Sequence, residues 1–167
     1  MNIVLVGMMG SGKTSIGKKI AKLLSFRFVD TDLYIEELQG KSVPVLFKEK
    51  GELWFRDLEN KCLKEILSLD NVVISTGGGL PCYHNNMDKI NKNARSVYLE
   101  ANPAFLKSRL INNKYNRPLI SSVPDEDLEN YLEEMLNYRE KYYRKADLFV
   151  NALGINAKTL LAKIEEK

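Results

Sequence analysis

Apolar side chains along the chain alternate between short unbroken runs and stretches of helical spacing. The run NIVLV at 2–6 predicts a buried strand, and VVIS at 72–75, apolar and β-branched, predicts a central one. Shorter runs at 27–29, 96–99 and 148–150 predict three more strands. Residues 13–24 predict a helix with Ile16, Ile20, Ala21, Leu23 and Leu24 near one face. Further helical stretches are expected at about 32–38, 43–50, 51–68, 84–91, 103–111, 125–143 and 157–166. Strands alternating with helices imply right-handed crossovers, hence an α/β fold with a parallel sheet covered on both faces. Ligands of such sheets gather at the carboxyl ends of the strands. No repeat, linker or low-complexity segment interrupts the pattern, so 1–167 is expected to be one domain, a length that supports one core.

Composition narrows the classes. Hydrophobic residues make up 44% and charged residues 28%, as in soluble globular proteins. The net charge is +3, and the 25 basic side chains are scattered, which argues against nucleic acid as a partner and leaves room for a small anion. No segment nears the ~20 apolar residues of a membrane span, so no membrane partner is expected. The first apolar run has no basic leader and breaks at Gly7, unlike a signal peptide. Cys62 and Cys82 match no metal or redox spacing and are expected to be reduced. Together these features lead us to expect a cytoplasmic protein.

The candidate chemistry falls where the sheet requires it. GMMGSGKTS at 7–15 follows the first strand and opens the first helix, with Gly7, Gly12, Lys13 and Thr14 in the spacing G-x-x-x-x-G-K-[ST]. Glycines let backbone N–H groups approach phosphate oxygens, and the helix start adds its positive end. Gly10, Ser11, Gly12, Lys13, Thr14 and Ser15 are therefore expected to bind a nucleotide, with Lys13 on the β/γ-phosphates and Thr14 on Mg²⁺. The strand at 72–75 ends in TGGG, without the acid that often holds that metal. Asp30 and Asp32 end the 27–29 strand instead. Residues two apart on an extended chain share a side, so both acids are expected in one pocket, one for hydrated Mg²⁺ and one for a substrate proton. Either acid could also simply cap the next helix.

Gly77, Gly78 and Gly79 let a ligand lie against the main chain. Arginine is the rarer base here, and its planar fork suits carboxylate or phosphate, which singles out Arg56, Arg117 and Arg139. Residues 111–123 are polar and bounded by Pro118 and Pro124. They are read as a lid that excludes water, closed by Arg117, against the alternative of an ordinary surface loop. His84, the only histidine, is read as exposed, and 157–167 as an amphipathic terminal helix.

With these residues in view the chain resembles the shikimate kinase family over nearly its whole length. The pieces GMMGSGKTS, DTD at 30–32, GELWFRDLE at 51–59, STGGG at 75–79, NRPL at 116–119 and YRE at 138–140 come in the family's order. The resemblance implies a three-layer, nucleoside-monophosphate-kinase-like P-loop fold with a five-stranded parallel sheet. Substrate-binding helices are implied at about 32–62. It also implies MgATP-dependent phosphorylation of the 3-hydroxyl of shikimate in chorismate and aromatic amino acid biosynthesis, by a monomer. By position, Asp32 would bind hydroxyls and act as base. Arg56 and Arg139 would grip the carboxylate, Gly78 and Gly79 would donate N–H groups, and Phe47 and Phe55 would form an apolar wall. Arg117 would reach ATP phosphate, Arg109 would stack on adenine, and Asp30 and Ser75 would orient Mg²⁺ waters beside Thr14. The family often carries an Asp-Thr pair and a Pro near the last strand, where this chain reads VNALGINAKTL at 150–160. Alternatives are a gluconate or nucleoside-monophosphate kinase, or a non-catalytic nucleotide-binding regulator. The intact Lys13 and Asp32 speak against the last.

Overall fold

A computed structural model of the chain describes residues 1–166. Strand β1 (Ile3–Val6) leads through the glycine loop into α1 (Lys13–Leu24), and β2 (Arg27–Asp30) runs directly into α2 (Thr31–Gln39). Helices α3 (Val43–Lys50) and α4 (Glu52–Leu67) precede β3 (Val72–Ser75), α5 (Asn86–Asn93) and β4 (Arg95–Glu100). Then come α6 (Pro103–Leu110), α7 (Leu128–Tyr143), β5 (Leu148–Asn151) and α8 (Ala157–Glu165). The sheet has five strands in the order β2-β3-β1-β4-β5, and every pairing is parallel.

The period-2 alternation of β1 divides the interior into two cores. Ile3 and Leu5 face Ile16 and Ile20 of α1 and Leu160 and Ile164 of α8. Val4 and Val6 face the other side, with Ile35, Leu63, Leu106, Leu132 and Tyr143 from the remaining helices. Local chemistry sets where helices start. Asn102 accepts from Phe105 N–H at 2.8 Å ahead of Pro103, and Asn156 accepts from Thr159 N–H at 2.9 Å.

The sequence pattern misplaces several details. Leu23, assigned to the buried face of α1, is 47% exposed. The helix expected at 84–91 begins at Asn86, because His84 and Asn85 sit in the left-handed region at φ 52° and 53° and form the turn before it. α7 begins at Leu128, not 125, and 3₁₀ turns at Leu80–Cys82 and Lys114–Asn116 were not foreseen. The 111–123 segment is not purely polar, since Ile120 is fully buried. Lys114 is buried as well, donating to Val123 O at 2.6 Å and pairing with Asp125. No helix among the described residues is long and apolar enough to cross a membrane.

Candidate active site

Parallel register brings three strand ends to one level. Asp30 of β2 pairs with Ser75 of β3, and Ser75 pairs with Leu5 of β1. A cleft of about 520 Å³ opens above them. At one end lies the glycine loop, with Gly10 and Gly12 at φ 82° and 94°, backbone that side chains resist. No side chain caps α1, so its first N–H groups remain for a ligand. Lys13, 6% exposed, donates to Gly7 O and Met8 O at 2.8 Å each. Burial, with Arg117 adding repulsion, brings its ammonium down to about 7.

Gly10, Gly12, Thr14 and Ser15 line the cleft as expected. Ser11 does not. Its N–H donates to Met8 O at 3.2 Å, and its side chain is buried under the loop. Thr14 Oγ1 donates to Asp30 Oδ2 at 2.7 Å and lies 3.2 Å from Ser75 Oγ. Two hydroxyls and a carboxylate oxygen are hard donors, and beside a phosphate loop they fit hydrated Mg²⁺.

Asp30 caps the next helix, one of the alternatives the sequence left open, and also meets Thr14. Its Oδ1 caps α2 by accepting from Asp32 N–H at 3.1 Å, while Oδ2 holds Thr14. Asp32 does share a pocket with Asp30, but the extended-chain reason for it is wrong. Asp30 ends a strand and Asp32 lies in the first turn of α2. That turn carries Asp32 against the glycine triplet, where a Cβ on Gly77 would lie 2.7 Å from Asp32 Oδ1. Burial and the nearby Asp30 push the Asp32 carboxyl up to about 6, while Lys13, Arg117 and Arg56 oppose the shift.

The far end of the cleft is built by α3, α4, α7 and the turn after β3. Arg139 of α7 is buried, and its Nη1 has no partner among the described residues. A Cβ on Gly78 would lie 3.1 Å from that nitrogen, and one on Gly79 would collide with the Arg56 guanidinium. Arg56 donates from Nη1 to Glu59 Oε2 at 2.6 Å and from Nη2 to Glu52 Oε1 at 3.1 Å, and stacks over Tyr83 at 4.7 Å. Burial opposes its charge, but Glu59 and Glu52 outweigh that and hold it. Phe47 and Phe55, with ring centroids 4.6 Å apart, form an apolar wall. Groups of opposite charge thus face one space, the carboxyl of Asp32 and the guanidinium donors of Arg139 and Arg56.

Glu59 is the site residue that sequence reasoning passed over. It is 1% exposed, lines the cleft, and keeps Oε1 without a partner among the described residues. Burial pushes its carboxyl up to about 7 although Arg56 pulls the other way. Its i,i+3 spacing from Arg56 on one helix was the available signal. Gly77, expected to bind substrate, lines the cleft but has given its N–H to Thr31 Oγ1 at 2.9 Å. Arg109 and Arg117 line the cleft near the phosphate loop, Arg109 with its guanidinium 5.1 Å from the Phe105 ring. His84 lies outside, exposed, 2.9 Å from Asp57. Cys62 and Cys82 are free and buried, with burial pushing each thiol up to about 11.

The chain is similar to known proteins in sequence and in fold. A family model for shikimate kinase matches residues 9–167. The shikimate kinase of Bacteroides thetaiotaomicron is 41% identical over 152 residues, covering 91% of this chain and 87% of that protein. A crystal structure of shikimate kinase from the same species superposes with a TM-score of 0.91 at 38% identity, covering 99% of this chain and 97% of that one. A second, from Acinetobacter baumannii in complex with shikimate, does so at 0.90 and 34%, covering 99% and 90%. With the family model matching residues 9–167 and these relatives similar over almost the entire chain, the chain belongs to the shikimate kinase family.

Proposed function

We propose that this kinase transfers the γ-phosphoryl group of MgATP to the 3-hydroxyl of shikimate, working as a cytoplasmic monomer. The observation that carries the reading is the single cleft joining two unlike ends. One end offers backbone N–H groups and Lys13 to phosphates, and the other offers Arg56 and Arg139 to a carboxylate. Asp32 lies between them, where the acceptor hydroxyl must sit.

The residues divide the work by charge. Arg139 Nη1, buried without an acceptor, needs an anion to complete it, and a substrate carboxylate does so. Arg56 faces the same turn, held by its two glutamates. Gly78 and Gly79 give N–H groups, and Phe47 and Phe55 pack against the ring. Asp32, ionised above about pH 6, takes the hydroxyl proton. The oxygen bonds to the γ-phosphorus as the bond to ADP breaks. Lys13 regains charge beside phosphate, and with Arg117 stabilises the charge that gathers on the transferring group. Mg²⁺, when bound, supplies charge neutralisation across the phosphates. Thr14 would hold it directly, with Asp30 and Ser75 orienting its waters. Arg109 would lie over the adenine. Residues 111–123 act as a lid. Both substrates together should lower protease cleavage within 112–122, and unchanged cleavage would argue against that role.

The test is a coupled ADP-release assay with MgATP and shikimate, quinate, gluconate, AMP, CMP or no acceptor. Release with shikimate alone is expected. Equal turnover of gluconate or a nucleoside monophosphate would sink the substrate assignment. ATP binding without release to any acceptor would favour a regulator.

A further inference from the structure

The glycine turn after β3 has most of its backbone polar groups committed. Gly77 N–H goes to Thr31 Oγ1 at 2.9 Å, Gly77 C=O accepts from Leu80 N–H at 3.2 Å, and Gly79 C=O accepts from Cys82 N–H at 3.0 Å. Gly78 C=O accepts from the Tyr143 hydroxyl at 2.5 Å. Gly78 N–H and Gly79 N–H are left with no acceptor among the described residues.

A peptide plane carries its C=O and the following N–H in opposite directions. Holding Gly78 C=O toward α7 therefore aims Gly79 N–H away from α7. Successive glycines have no Cβ to resist a flip of these planes, so the planes need anchors from elsewhere in the fold. Leu80 N–H anchors the Gly77–Gly78 plane, and Tyr143 anchors the Gly78–Gly79 plane. Tyr143 is well placed for this. Its ring is fully buried against Tyr98, with centroids 5.1 Å apart, and its hydroxyl lies 3.7 Å from Met8 Sδ. Burial pushes the phenol far above its ordinary value, so it stays a donor. Arg139 lies one helical turn earlier on the same face of α7, with Nη1 over Gly78.

We propose that Tyr143 is a positioning residue for the acceptor substrate: its hydroxyl sets the Gly78–Gly79 peptide so that Gly79 N–H meets a substrate oxygen in register with Arg139. This rests on the reading that the far end of the cleft takes the acceptor. One helix face thus supplies both the guanidinium and the group that orients the backbone donor beside it.

The test uses protein labelled with ¹⁵N-glycine, which reports ten amides. In free Tyr143→Phe the Gly79 resonance should move and broaden, while those of Gly7, Gly10 and Gly12 stay in place. In turnover the same variant should raise the shikimate KM roughly fivefold, with kcat and the ATP KM within about twofold. An unmoved Gly79 resonance, or both KM values rising together, overturns the proposal. Wild-type protein gives a reading that needs no variant. Saturating shikimate should shift the Gly79 amide strongly and Gly77, already bonded to Thr31, weakly. Equal shifts overturn it. If wild-type protein fails to phosphorylate shikimate, the functional reading falls, while the free-protein spectra still decide whether Tyr143 sets the peptide.

Discussion

At the phosphate end of the cleft, nine consecutive residues, Gly7 to Ser15, supply the loop, the helix start, Lys13 and Thr14. At the acceptor end, Arg56, Arg139, Glu59 and the glycine turn arrive from α4, α7 and the exit of β3. The first end depends on local backbone conformation, and its donors are main-chain groups. The second depends on tertiary packing, which sets buried arginines of two helices beside the backbone N–H groups of the glycine turn. A site built locally survives most distant substitutions. A site built from packed helices is exposed to changes in any of them, which is why Glu59, whose burial no motif shows, and Tyr143, outside every motif, bear on it.

The largest effect should come where the two ends meet. Asp32→Asn is expected to lower kcat by roughly 10²–10⁴-fold while ATP binding stays near normal. In the wild type, kcat/KM for shikimate should rise through an apparent pKa of about 6, and the variant should lose that limb. Retained activity would mean that another group takes the proton. Next, Arg139→Ala removes one buried donor from the acceptor end. The shikimate KM should rise roughly thirtyfold with the ATP KM within about threefold. An equal rise in both would erase the distinction between the ends.

A smaller effect should separate the ends by pH. Burial raises Glu59 from 4.5 to about 7 and Asp32 from 3.8 to about 6. Between the ordinary and raised values the folded chain holds protons that the unfolded chain has released. Their contribution to stability therefore falls as pH rises through about 4 to 7. Lys13 is lowered from 10.5 to about 7, so between those values the unfolded chain holds the extra proton and stability rises with pH. Thermal melts of the free protein should show the acid-side decline flattened in Glu59→Gln, with the alkaline rise unchanged. A parallel change on both sides would couple the ends. The smallest effect belongs to His84→Ala. Its exposed pairing with Asp57 predicts kinetics within about twofold of wild type. A large loss would place a functional residue outside the cleft.

The strand–helix alternation, the P-loop and the DTD and STGGG segments were legible because each is written in consecutive residues. Glu59 was not, since a carboxylate on a helix next to an arginine looks the same in solvent as in a core. The burial of the Ser11 side chain was not legible, because its position in the loop motif says nothing of which way it turns. Asp32 was placed in the right pocket by the wrong geometry, because the extended chain stops at Asp30 and Thr31 already opens the helix. The helix at 84–91 started late because two left-handed residues, His84 and Asn85, carry no periodic signal.

By itself the sequence determined the parallel α/β plan, the phosphate loop and the residue types of the chemistry, since these depend on hydrophobic period and on backbone freedom at glycines. Only the tertiary structure decided which charges are buried, which backbone N–H groups are free and which residues face one another. Those follow from strand register and helix packing, which bring Arg56, Gly78 and Arg139 together and strip them of water. Desolvation gives the buried charges their altered acidity, and desolvation exists only once the chain has closed around them.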